Sequence, residues 1–241
     1  VYCGKGNNGG DGYVLARMAK KGGLSVRLVS LSEPTTPEAL AAKHRALSAG
    51  LVSEGHSTEL LKKTDIVVDA LLGIGVSGGV REPMGSLVAE INQSSAPCLS
   101  LDVPSGLNAD TGSAIGGAVR AEMTVTFIRN KPGLMTGEGP DYAGEVVLED
   151  LQLVGRCETD RELSTAWGLR IDKEWVGENM PLRKRSAHKG DAGYVLVVGG
   201  GPGSQDPIGL RADERRKGHA GVQPSHRGAR VPRVLDTIQC G

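Results

Sequence analysis

Apolar and polar positions along the chain follow two alternating periods. Short apolar runs ending at glycine read as buried strands, and the segments between them repeat apolar residues every three or four positions, as helices do. Residues 1–3 form the end of a strand, 12–21 a helix halted by Gly22 and Gly23, 24–31 a strand, and 37–49 a helix closed by Gly50. Residues 65–72, Asp-Ile-Val-Val-Asp-Ala-Leu-Leu, are the most buried-looking strand. A glycine-rich loop, a helix over 83–92 and strands over 97–103, 124–128 and 145–148 follow. Strand and helix in strict alternation predict an α/β class, a Rossmann-like layered fold around a mostly parallel central sheet.

The periodic pattern holds to about residue 154 and then lapses. Residues 1–154 read as one domain, 155–185 as a linker carrying a short helix, and 186–203 as the start of a second domain, opened by a strand over 194–198 and a glycine turn. Residues 204–241 lose apolar periodicity. Proline, glycine and scattered arginine without a packed face predict disorder there, or a frameshifted end. The chain begins without Met inside what reads as a strand, so its own N-terminus is expected to be missing.

Composition narrows the partners. Lys and Arg total 28 against 28 Asp and Glu, a net charge of zero, which disfavours nucleic acid. No apolar run reaches the roughly 20 residues of a membrane span, and no signal peptide is visible. The four cysteines form no C-x-x-C and no framework spacing, which fits reduced thiols in a cytoplasmic protein. His44, His56 and His188 read as surface groups. Glycine, at 36 residues, is about twice its usual share of roughly 7% and clusters in loops.

Three of those loops fall at the carboxyl ends of predicted parallel strands, where open α/β sheets hold ligands. In "YCGKGNNGGDGYVLAR", Gly4, Gly6 and Gly9 satisfy G-x-G-x-x-G between a strand and a helix, suiting a phosphate at the helix start. That fingerprint does not explain Asn7, Asn8, Gly10 or Asp11. Asp69 lies inside an apolar run and needs a cation or hydrogen-bond donors. Asp102, Pro104 and Ser105 end a strand at a stiff turn that holds a carboxylate and a hydroxyl.

The segments "CGKGNNGGDGYVLAR", "VDALLGIGVSGG", "LDVPSGLNADTG" and "FIRNKPGL", in this order and spacing, resemble the NAD(P)H-hydrate epimerase family, the YjeF N-terminal domain. The similarity spans about residues 1–151. "HKGDAGYVLVVGGGPG" resembles the start of the ADP- or ATP-dependent NAD(P)H-hydrate dehydratase domain, ribokinase-like, that follows the epimerase in bifunctional repair enzymes. The resemblance implies binding of NADHX or NADPHX, nicotinamide cofactors hydrated at C6, together with a potassium ion. ADP or ATP is implied for the incomplete dehydratase part alone, whose activity is expected to be lost. Carried over by position, Asn7, Asn8, Gly9, Gly10 and Asp11 and the loop Gly73, Ile74, Gly75, Val76, Ser77, Gly78 and Gly79 would contact substrate. Asp102 would bind it near the ring, and Asn8, Asp69 and Ser105 would bind potassium. The partner is thus a small molecule, with neither nucleic acid nor membrane, and a homo-oligomer is compatible.

Epimerisation at C6 requires the hydroxyl to leave with help from the ring nitrogen and water to return on the other face, or else ring opening and reclosure. Either route moves a proton on oxygen. Asp102 is the first candidate for that work, Lys131 is expected to tune it or to anchor a phosphate, and Asp11 is expected to order its own glycine loop. The competing reading is an NAD-dependent oxidoreductase with Glu33 as the ribose-binding acid, or a non-catalytic nucleotide-binding domain.

Overall fold

A computed structural model describes residues 1–75, 78–153, 168, 171, 173–179 and 186. The chain divides into two compact units, Val1–Leu169 and Arg170–Gly241. Among its described residues the first holds seven strands: β1 (Tyr2–Cys3), β2 (Leu28–Ser30), β3 (Ser53–Glu54), β4 (Val67–Ala70), β5 (Cys98–Leu101), β6 (Met123–Phe127) and β7 (Glu145–Glu149). They form a single sheet in the order β3-β2-β1-β4-β5-β6-β7, every neighbouring pair parallel. The α/β expectation holds, and the sheet is wholly rather than mostly parallel.

Five helices lie between the strands: α1 (Asn7–Lys21), α2 (Pro37–Ser48), α3 (Thr58–Lys62), α4 (Met84–Gln93) and α5 (Gly139–Ala143). Alternation within β1 shows how they cover the sheet. Tyr2 packs with Leu60, Leu61, Leu87, Val88 and Ile91 beneath α3 and α4, whereas Cys3 packs with Tyr13, Ala16, Ala42 and Ala46 beneath α1 and α2. From β1 the order runs through β2 to β3 on one side and through β4 to β7 on the other. The β1/β4 boundary is therefore the topological switch point, and a crevice is expected beyond their carboxyl ends.

Two elements differ most from the sequence reading, while the strands read over 65–72 and 97–103 shorten to β4 and β5. Helix α1 begins five residues earlier, at Asn7, so the Asn-Asn-Gly-Gly-Asp segment forms its first turns rather than a loop. Strand β2 is confined to Leu28–Ser30, and Leu24 is exposed before it. Elements β3, α3 and α5 carry too few residues to show a period. In the second unit, α6 (Lys173–Asn179) lies in the segment read as a linker with a short helix. The strand expected over 194–198, the segment 187–203 and the tail 204–241 lie outside the described residues.

His56 is no surface group. Its ring contacts the Tyr2 hydroxyl through Nδ1 at 3.1 Å and the Glu90 carboxylate through Nε2 at 3.1 Å, tying β1 to α4. Cys3 and Cys98 are buried and unpaired, and burial pushes the Cys3 thiol up to about 12.

Candidate functional site

The glycines of the opening segment do two different jobs at the switch point. A Cβ on Gly4 would fall 1.7 Å from the Leu71 carbonyl oxygen, and one on Gly9 would fall 2.0 Å from the Gly4 carbonyl oxygen. On Gly12 it would meet the Ala70 Cβ at 2.6 Å and Cys3 Sγ at 2.8 Å. These three let α1 lie directly on β1 and β4, which overrides the poor helix propensity of glycine. Gly6, the residue capping α1, has nothing within 4 Å of such a Cβ. No side chain caps that helix start, so its first amides take no side-chain hydrogen bond.

The turn before α2 fixes the rim of this opening. Thr35 donates through its amide to the Lys5 carbonyl at 2.8 Å, and the Thr36 hydroxyl donates to Asn7 Oδ1 at 2.5 Å. Glu33, the ribose acid of the oxidoreductase reading, instead accepts from the buried Lys43 ammonium at 2.6 Å. That alternative is not favoured.

Ser105 bonds Asp69 directly, and Asn8 is linked to Ser105 through the Leu72 backbone, although the three come from separate segments. The Asp69 carboxylate is fully buried and accepts four hydrogen bonds: Oδ1 from the Leu71 amide at 3.2 Å and the Ser105 hydroxyl at 2.5 Å, Oδ2 from the Ser100 hydroxyl at 2.9 Å and the Ser105 amide at 2.8 Å. Burial still raises its carboxyl above the usual range, because the four donors only partly offset the desolvation. Asn8 donates through Nδ2 to the Leu72 carbonyl at 2.7 Å, while its buried Oδ1 has no partner. Leu72 also donates its amide to the Ser105 hydroxyl at 2.8 Å. A Cβ on Gly73 would come within 3.1 Å of Asn8 Cβ, so glycine there lets the amide sit against the loop. The unpartnered amide oxygen of Asn8, the Ser105 hydroxyl and the Asp69 carboxylate are oxygen donors of the kind a hard cation takes. Among the described residues no three His, Cys, Asp or Glu side chains cluster as a metal site, so a thiolate or imidazole centre has no counterpart there.

Asp102 follows β5 directly and adopts a left-handed backbone conformation, φ 66°. Non-glycine residues rarely do so, and Asp is among the few that tolerate it. The Asp102 amide donates to the Val125 carbonyl at 2.7 Å, holding the turn against β6. Its Oδ1 accepts from Lys131 Nζ at 2.5 Å and, at 3.4 Å each, from the Thr126 hydroxyl and the Phe127 amide. Lys131 Nζ also donates to the Phe127 carbonyl at 2.8 Å, which aims the ammonium at Asp102. Both side chains are largely buried, 16% and 17% exposed, and Asp102 Oδ2 accepts no hydrogen bond among the described residues.

Asp102 and Lys131 open onto a cavity of about 820 Å³. Its walls are mostly apolar: Val14, Leu15 and Met18 from α1, then Leu101, Phe127 and Ile128 from the strand ends. Asp11 and Ile74 also line it. Asp11 was expected to order its own loop, yet among the described residues its carboxylate takes no hydrogen bond or ion pair; burial, with a contribution from Asp102, raises its carboxyl. Asn7, Gly10 and Asp11 border a smaller adjoining hollow with Glu38 and Arg45 of α2.

Of the loop after β4, Gly73 and Ile74 face the site, whereas Gly79 packs at the far end, where a Cβ would strike the Ile115 carbonyl at 2.7 Å. Val76 and Ser77 lie outside the described residues. Sequence reasoning missed the Leu72 carbonyl, Ser100 and Thr36. The first is a backbone group without a sequence signal; the hydroxyls become visible only once the register Asp69↔Ser100 and the turn to α2 are known.

The sequence matches the family described as YjeF-related protein N-terminus over residues 1–133. A bifunctional NAD(P)H-hydrate repair enzyme of Coxiella burnetii is 40% identical over 230 residues, spanning 92% of this chain and 45% of that protein. The enzyme of the same name from Escherichia coli is 36% identical over 229 residues, spanning 92% and 43%. The chain thus covers less than half the length of these two relatives. The crystal structure of the yeast protein YNL200c superposes with a TM-score of 0.53 at 26% identity, covering 61% of this chain and 63% of that one.

Proposed function

The chain belongs to the YjeF-related N-terminal family, and from that membership we propose that it interconverts the R and S epimers of NADHX and NADPHX, as part of nicotinamide cofactor repair. The observation that carries this reading is the Asp102–Lys131 pair at the mouth of the cavity, with one carboxylate oxygen committed to the lysine and the other free. A fixed carboxylate in a partly dry site suits a reaction whose demand is a proton moved on oxygen and a positive charge held on the ring. Lys131 keeps Asp102 in one orientation. The apolar wall of Val14, Leu15 and Phe127 takes the ring, and the open start of α1 at Gly6 takes phosphate. Asn7, Asn8, Gly9, Gly10 and Asp11 and the loop from Gly73 to Gly79 frame the substrate between them.

Potassium is the cation we place among Asn8, Asp69 and Ser105, because the orphaned Asn8 oxygen is a ready ligand. Bound there, it would supply positive charge that joins three loops and steadies the phosphate-facing rim. Epimerase chemistry is assigned to residues 1–154, with 155–185 as a linker and 186–203 as the opening of a dehydratase domain. Residues 204–241 lose the apolar periodicity of a dehydratase core, so we expect the chain to lack ADP- or ATP-dependent lyase activity. The unpaired buried Cys3 and Cys98 suit a cytoplasmic setting, and among the described residues no helix is long and apolar enough to cross a membrane.

One experiment separates the readings. The purified chain is given NADHX with ATP, and separately NADH with a panel of carbonyl compounds. Epimer interconversion with neither recovery of NADH from NADHX nor hydride transfer is the expected result. Hydride transfer without epimerisation would reject the proposal, and ATP-dependent recovery of NADH would reject the loss of lyase activity.

A further inference from the structure

We infer that Asp11 is a second catalytic carboxyl, working across the cavity from Asp102 as the proton donor when Asp102 is the acceptor. The inference rests on the epimerase reading above and extends it. Asp11 sits on the second turn of α1, one turn before Leu15 and two before Met18, on the helix face that lines the cavity. Asp102 and Lys131 line the same cavity from the ends of β5 and β6, separate elements of the fold. The two carboxyls are treated differently. Asp102 is held in one orientation by the Lys131 ammonium at 2.5 Å, with its second carboxylate oxygen left open to the cavity. Asp11 has no hydrogen bond or ion pair among the described residues, and partial desolvation at the cavity together with the Asp102 charge raises its carboxyl above the usual range. The charged groups facing it are Asp102 and Lys131 in the cavity and Glu38 and Arg45 of α2 in the adjoining hollow. Two carboxyls lining one cavity, one fixed by an ammonium and the other unpaired, are an arrangement that can divide acid from base work at one site.

The chemistry balances. The Asp11 carboxyl gives its proton to the C6 hydroxyl. The C6–O bond breaks with its electron pair leaving on water, while the N1 lone pair forms the N1–C6 double bond. Water then attacks C6 from the other face, the double-bond pair returns to N1, and the Asp102 carboxylate takes the proton lost by that water. The reverse epimerisation uses the same steps with the carboxyls exchanged, and proton exchange with solvent resets them between turnovers. No oxidant or reductant enters.

The test compares the whole chain with Asp11→Asn and Asp11→Glu across pH, reading kcat and KM for (R)-NADHX. As pH rises the acid form of Asp11 is lost, so the parent kcat should fall on its alkaline side. Asp11→Asn should lower kcat by roughly 100- to 10,000-fold with KM nearly unchanged and no alkaline fall. Asp11→Glu should keep part of the activity together with that fall. A parental kcat in Asp11→Asn, or an alkaline fall that survives in it, would overturn the assignment. So would an inactive Asp11→Glu chain whose melting is cooperative. A parent chain without turnover overturns the epimerase reading instead, and the inference with it.

Discussion

Gly6 and Gly9 stand three residues apart in one motif, and the structure predicts opposite consequences for the same added methyl group. In Gly9→Ala the new Cβ would lie 2.0 Å from the Gly4 carbonyl oxygen and 2.7 Å from its carbon, both backbone atoms of a residue whose amide is bonded to the Ala70 carbonyl at the end of β4. Relief requires moving the start of α1 off the sheet, which belongs with overpacked cores at about 1–3 kcal/mol. For a domain of this size each kcal/mol lowers Tm by roughly 2–4 °C. Gly9→Ala should therefore melt about 2–12 °C below the parent. In Gly6→Ala the Cβ meets nothing within 4 Å, and φ is −95°, open to any residue. A small loss of capping preference opposes a small gain from restricting the unfolded chain, so Tm should change by about 2 °C or less. The methyl would occupy the space in which a phosphate approaches the α1 amides. Affinity for NADPH, used as an intact analogue, should fall about tenfold or more, equivalent to about 1.4 kcal/mol. Differential scanning fluorimetry and fluorescence titration read the two effects separately. Parental affinity in Gly6→Ala, or a parental Tm in Gly9→Ala, would refute the division of labour.

Asp102→Asn keeps the shape of the side chain but removes its charge and basicity, so epimerisation should fall by roughly 100- to 10,000-fold with a smaller change in KM; steady-state kinetics with (R)-NADHX checks this. Potassium should tighten substrate binding in the parent relative to tetramethylammonium at matched ionic strength, and Asn8→Ala should erase the difference, because it deletes the unpartnered oxygen. Cys3 should resist iodoacetamide in the native chain at neutral pH: with its thiol pushed up to about 12, the thiolate is present only far above that range. Peptide mass analysis should find it labelled once denaturant exposes it.

The parts of the site that were legible in the sequence are those marked by contrast. β4 and β5 stood out as apolar runs interrupted by acids and ended by glycine or proline, and Asp69, Asp102 and Ser105 were conspicuous against them. The first turns of α1 were illegible, because two asparagines and three glycines argue against a helix on propensity. Packing of Gly9 on Gly4 and of Gly12 on Ala70 wins over that preference. The role of Asp11 was hidden for the same reason: without the helix its side chain has no assigned face. The Leu72 carbonyl was invisible because any residue carries one. His56 was misjudged because its partners, Tyr2 and Glu90, lie 54 and 34 positions away.

The most direct test of epimerisation at this cavity is the fate of pure (R)-NADHX incubated with the chain in water enriched in oxygen-18, the epimers being separated by chiral chromatography and weighed by mass spectrometry. Elimination and re-addition between Asp11 and Asp102 predicts rapid appearance of the S epimer carrying the heavy oxygen at C6. An S epimer formed no faster than in the chain-free control would contradict the proposed function. Fast formation of unlabelled S epimer would contradict the route.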